Sequence, residues 1–282
     1  MRWSPGRDSG NVEDRRGMGG MGAPMGIGGS VILLVLSLIF GRDFISGSDA
    51  GSGAPPAAGG DVAPVNESPN EAKEAQLVRF VFDTAQVTWS QVLSQAGAQW
   101  RDAKLVLFRN ATQTGCGVGQ TAMGPFYCPM DQKIYIDLSF YDDLRTRFGA
   151  PGDFAEAYVI THELGHHVQH LLGTDAKVRR AQEQNPDQAN ALSVALELQA
   201  DCYSGVWAAH TKSENILEPG DIDEGLNAAA AVGDDRIQRE TTGRVNTDRF
   251  THGSSQQRAT WFKRGFTSGD PNSCNTFASL RG

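Results

Sequence analysis

Residues 161–169 read Thr-His-Glu-Leu-Gly-His-His-Val-Gln, and within them His162, Glu163 and His166 fall in the order H-E-x-x-H. The stretch lies inside a segment of helical pattern that runs from Asp153 to Leu172. Gly149, Pro151 and Gly152 precede it, and Gly173 follows at the position where a helix commonly ends in a left-handed residue. On a helix, residues four apart share a face one turn apart, so His162 and His166 can grip one ion. Imidazole nitrogen suits zinc, and the adjacent Glu163 is placed to accept a proton from a metal-activated water. Gly165 sits mid-helix, where glycine costs about 1 kcal/mol. The spacing therefore predicts a close approach of another element at that point.

A catalytic zinc takes three protein ligands and keeps one position open. A third histidine in the pattern H-E-x-x-H-x-x-G-x-x-H is excluded, because Gln169 and Leu172 stand where Gly and His are required. Asp175 lies just past the helix and lacks the pattern of aspartate-liganded sites. Glu197 is the best candidate. It belongs to a second long helix, expected from Asn185-Pro186 to about His210, and Asp201 follows one turn later on the same face. Val194, Leu198, Ala200 and Val206 make that helix largely buried, and a buried carboxylate pair without a cation would be costly. Glu197 is expected to bind the metal and Asp201 to accept the free N–H of a ligand histidine. For the donor that meets the developing oxyanion the candidate is His252, with Arg258 and Tyr203 behind it. His170 is expected to lie beyond reach of the metal.

The rest of the chain divides into unlike parts. Residues 1–22 read as a cytoplasmic tail and 23–41 as a transmembrane anchor whose densest part is Ile27–Phe40. Arg2, Arg7, Arg15 and Arg16 precede the run and only Arg42 follows closely, which orients the N-terminus inward. A cleaved signal peptide is the competing reading. Residues 42–73, rich in Gly, Ala, Pro and Ser, read as a flexible linker. Residues 74–282 are expected to form an α+β domain, mainly helical with a small sheet. Strands are expected at Lys104–Arg109 and Lys133–Phe140, the latter as a possible peptide-pairing edge. Helices are expected near Glu74–Gln95, Tyr141–Phe148, Asp221–Val232 and Ser255–Gly265. The net charge of −8 and the lack of a basic patch exclude nucleic acid as a natural partner. Cys116, Cys128, Cys202 and Cys274 all follow the anchor and allow three pairings. Cys116 with Cys128 would close a short loop, which leaves Cys202 with Cys274; buried free thiols are the bland alternative.

The segments THELGHHVQ at 161–169 and LELQADCYSGVWA at 196–208 resemble the bacterial neutral zinc metallopeptidase family, a membrane-anchored group. GPFYCP at 124–129, GDDRIQ at 233–238 and THGSSQQR at 251–258 extend the likeness to roughly residues 75–280. H-E-x-x-H with a downstream E-x-x-A-D is also similar to the wider gluzincin clan. The resemblance implies a zincin-like fold, Zn2+ held by His162, His166 and Glu197, and Glu163 as general base in peptide hydrolysis outside the membrane. The alternatives are a zinc-stabilised binding module without catalysis and an amidase of cell-wall peptide.

Overall fold

The structure is a computed structural model that describes residues 1–5, 9–17 and 65–280. Its frame is a set of helices stacked on one face of a small mixed sheet. Helix α1 (Pro69–Gln95) starts where the Ser68 hydroxyl accepts from the Glu71 N–H, with Pro69 in the first turn. It buries Leu77, Val81, Trp89 and their neighbours at helical spacing. The sheet runs in the order β1 (Val12–Asp14), β2 (Lys104–Phe108), β6 (Lys133–Asp137), β5 (Phe126–Cys128). The first three are parallel and β5 is antiparallel to β6. A hairpin, β3 (Ala111–Thr114) and β4 (Gly117–Gln120), stands beside them.

Strand β2 is apolar without alternation because both of its faces are covered. Leu105 and Leu107 enter the main core beneath the helices, while Val106 and Phe108 join Tyr135 and Cys128 on the far side. Phe126 stacks on Tyr135 there, and the bare backbone of Gly119 lets the hairpin close over the Phe126 ring. The Cys116–Cys128 disulfide ties hairpin to sheet.

After the short α2 (Ser139–Thr146) come α3 (Asp153–Leu171), α4 (Thr174–Gln184), α5 (Ala189–Ser213), α6 (Asp221–Ala231), α7 (Asp234–Thr242) and α8 (Ser255–Ser268). Two glycine contacts set the depth of packing. A Cβ on Gly165 would stand 3.1 Å from the backbone of Ala200, so α3 and α5 touch main chain to main chain. Gly205 and Gly265 do the same for α5 and α8: a Cβ on Gly265 would fall 1.9 Å from the Cys202 carbonyl oxygen. The chain end is pinned by Cys202–Cys274.

Several expectations change. The strand expected over Lys133–Phe140 ends at Asp137, and α2 begins at Ser139. The polar stretch after Gly173 is helix α4, and α7 was not expected at all. Both bury too little to show a period: Val178 in α4 and Asp234 in α7. The first residues are not a separate tail. β1 pairs with β2, Val12 against Leu105. Met1 is buried, with its ammonium between Asp153 and Asp221, and Trp3 packs on Phe80. Arg16 is buried among Asp14, Glu67 and Glu71. The anchor expected at 23–41 and the linker up to residue 64 lie outside the described residues. Among the described residues, no helix is long and apolar enough to cross a membrane.

Candidate metal centre

Helix α3 offers His162, Glu163 and His166 toward α5, which offers Glu197 and Asp201. The main-chain contact at Gly165 and Ala200 is what brings the two faces close enough. His162 Nε2 lies 3.2 Å from Glu197 Oε2, and His166 Nε2 lies 3.4 Å from Glu197 Oε1. Ligands at about 2.0–2.1 Å around a tetrahedral zinc stand about 3.3 Å apart. The donor set therefore fits zinc in both chemistry and spacing. All three side chains are mostly withdrawn from solvent.

His162 Nδ1–H donates to Asp201 Oδ1 at 2.8 Å, which leaves Nε2 for a metal. Asp201 is wholly buried and is itself held on every side. The Tyr158 hydroxyl donates to Oδ1, and Arg258 donates from Nε to Oδ2 at 2.9 Å and from Nη2 to Oδ1 at 3.0 Å. Burial pushes the Asp201 carboxyl up, but Arg258 and His162 outweigh it and hold it below the usual carboxylate range. Burial likewise pushes Glu197 up, and the charge of His166 with the hydrogen bond from His162 brings it well below. Burial works to lower His162, yet Asp201 and Glu197 raise it to about 10. Glu163 moves the opposite way to the carboxyls of Asp201 and Glu197. Burial raises its carboxyl, and the neighbouring histidines do not undo this. A carboxyl shifted upward beside a metal site is suited to pick up and return a proton.

His252, on the loop before α8, lies within electrostatic reach of Glu197. Its Nδ1–H is shared between Thr251 Oγ1 at 3.0 Å and Asp234 Oδ1 at 3.2 Å. Asp234 also accepts backbone N–H bonds from Thr251, His252 and Gly253, so one carboxylate fixes the whole turn. Burial lowers the His252 pKa, but Asp234 and Glu197 together raise it.

Arg258 is not free to meet an oxyanion, because Asp201 and the Val232 carbonyl occupy its guanidinium. Tyr203 is buried against Trp89 in the core. Asp175 accepts from His170 at 2.8 Å and stands outside the metal set. The peptide-pairing edge was placed on the wrong strand. β6 is flanked by β2 and β5, so the edge beside the site is β5. His167 explains that position. Its Nε2–H donates to the Arg101 carbonyl at 2.7 Å, and its Nδ1 accepts from Tyr127 of β5 at 3.0 Å. Burial holds its pKa down to about 4, so it is a neutral bolt between α3 and the sheet. Tyr158, Gln169 and Asp234 were missed as site residues. Tyr158 could have been found, since it lies four residues before His162 on the same helical face. Asp234 sits in GDDRIQ, a segment noticed only for its likeness.

A histidine pair on one helix, joined by a carboxylate from the next long helix, is a donor set able to hold a single zinc ion. The chain matches the family described as "Putative neutral zinc metallopeptidase" over residues 1–277, and it belongs to that family. Zn2+ is accordingly its cofactor. The match takes in the N-terminal strand, which the motifs alone left out. The chain is 50% identical over 287 residues to "Uncharacterized protein YpfJ" of Escherichia coli K12, covering 98% of this chain and 99% of that one. It is also 50% identical over 184 residues to "Uncharacterized protein Rv2575" of Mycobacterium tuberculosis H37Rv, 61% of each chain. No solved structure matches.

Proposed function

We propose that the protein is a zinc endopeptidase. The observation that carries this reading is the donor set found among the described residues, His162, His166 and Glu197, with Glu163 buried and shifted upward beside it. Three protein ligands and an adjacent acid–base group are the marks of a catalytic site, whereas structural zinc sites take four ligands and no base. Zinc, when bound, supplies Lewis acidity to the scissile carbonyl and to water. Glu163 takes the proton of the attacking water and returns it to the leaving amine. Asp201, held by Tyr158 and Arg258, keeps His162 in the tautomer that ligation needs. His252, oriented by Asp234, donates to the charge that develops on the carbonyl oxygen. An extended peptide pairs with the edge of β5 that faces away from β6.

Location is part of the proposal. Both cysteine pairs are bonded, and disulfides persist in oxidising compartments, which favours a site outside the cytoplasm. Membrane attachment through residues 23–41, expected as a single span with the N-terminus cytoplasmic and the domain outside, belongs to the same reading only in a form that keeps β1 paired with β2.

Glu163→Gln tests the chemistry. Zinc content should stay at one ion per chain while peptide cleavage falls by about 100-fold or more, the usual share of a general base. Equal cleavage by the variant and the parent would remove Glu163 from its role. No cleavage by either, with zinc bound, would favour a binding module.

A further inference from the structure

The two histidines of the metal centre are held differently. His162 leans on the charged Asp201, whereas His166 leans on a neutral amide. His166 Nδ1–H donates to Gln169 Oε1 at 2.9 Å. An amide fixes a tautomer only if its own direction is fixed, because a flipped amide would present N–H to the ring. Gln169 is fully buried, and its NH2 donates to the Leu196 carbonyl at 2.7 Å and to Gln199 Oε1 at 3.2 Å. Gln199 in turn donates from Nε2 to the Cys274 carbonyl at 3.0 Å. Backbone carbonyls only accept. With acceptors at Leu196 and Cys274, one orientation of each amide satisfies every group, and that orientation ends with an acceptor facing His166 Nδ1–H. His166 Nε2 is then left bare toward Glu197.

The far end of this chain is anchored. Cys274 is wholly buried and bonded to Cys202, which is next to Asp201 on α5. Thr276 Oγ1 donates to the Ala195 carbonyl at 2.6 Å, which pins the following turn on the same helix. The C-terminal segment here consists of short 3-10 turns at Pro271–Ser273 and Thr276–Leu280.

We propose that Gln169 and Gln199 are positioning residues for zinc, and that the disulfide-pinned Cys274 carbonyl, acting through Gln199, joins the Leu196 carbonyl in setting the direction of Gln169 and so the tautomer of His166. The proposal rests on His166 being a zinc ligand. The test is zinc affinity, measured on the full chain by competition with a chelating zinc indicator, with no peptide substrate present. Gln199→Leu keeps the disulfide and every ligand, and should weaken zinc binding about tenfold or more, the usual effect of losing an outer hydrogen-bond partner. Gln169→Leu should do at least as much. Gln169→Glu still accepts from His166 and should recover part of the loss. The pair Cys202→Ala with Cys274→Ala should behave like Gln199→Leu, while Cys116→Ala with Cys128→Ala should leave zinc affinity unchanged. A merely structural role would lower the unfolding midpoint of Gln199→Leu with zinc affinity intact, and that result overturns the proposal. If the Cys202 and Cys274 variant does not fold, Gln199→Leu decides alone. Glu197→Ala separates the two readings: retention of zinc by that variant overturns the ligand set itself, whereas loss of zinc there with parental affinity in Gln199→Leu overturns only the relay.

Discussion

At the scale of single residues, Glu156 shows how burial sets a titration that matters for stability. It lies on α3 six residues before His162, buried, with Arg145 at 3.1 Å from one oxygen. Its other oxygen has no partner among the described residues, and Arg145 is shared with Glu74. Burial first and the charge of Glu74 second outweigh Arg145 and push the carboxyl from 4.5 to about 8. Between those values the folded chain keeps a proton that the unfolded chain has released, so this group's contribution to stability falls as pH rises through that window. Glu156→Gln mimics the protonated form. Urea titrations should show the variant equal to the parent at about pH 5 and more stable at about pH 8.5. Parallel pH profiles would show that Arg145 keeps Glu156 ionised throughout. The same scale shows what was legible beforehand. That His162, Glu163 and His166 share one helical face could be read because one helix turn fixes their geometry, and that Glu197 and Asp201 share another because the same spacing recurs on a buried helix. Gln169, Asp234 and the role of Arg258 could not, because each acts through a partner from another part of the chain.

At the scale of elements, the helices were read where a broad apolar face repeats, as in α1, α3 and α5, and missed where one residue is buried, as in α4 and α7. The contacts between elements left a fainter trace, in the glycines. Gly165 pointed to a close approach, and Ala200 is what approaches. Substitution should rank these contacts. Gly165→Ala gains about 1 kcal/mol of helix propensity but must push apart two main chains, and overpacking costs about 1–3 kcal/mol. A modest net loss is expected. Gly265→Ala places its methyl group 1.9 Å from the Cys202 carbonyl oxygen and should cost about 3 kcal/mol or more. Denaturant midpoints for the two variants check the order, and a Gly265→Ala protein as stable as the parent would mean that α8 sits further from α5 than described.

For the whole molecule, the β1–β2 pair is the feature that composition hid. Residues 1–17 looked like a tail because seven charged residues precede a glycine-rich stretch, and charge is the signal of a solvated segment. Among the described residues these charges are in fact partnered: Arg2 with Glu218, Glu13 with Lys133 and Arg15, Arg16 with Asp14. A single membrane span between residues 17 and 65 would put β1 and β2 on opposite sides. Ser4→Cys and Val118→Cys test this, since both positions are exposed and the native cysteines are bonded. In intact cells or spheroplasts, a membrane-impermeant maleimide should label both or neither. Labelling of one alone would show that the pair is absent from the anchored chain.

The order in which the ribosome delivers these strands adds a kinetic side to the same pair. Val12 meets Leu105, so the first strand made must wait for some ninety further residues, roughly 5–20 s at ordinary rates of synthesis. The apolar run Ile27–Phe40 emerges within that interval. If a membrane takes up that run, uptake and closure of the sheet compete in time, and the faster one decides which compartment receives the N-terminal strand.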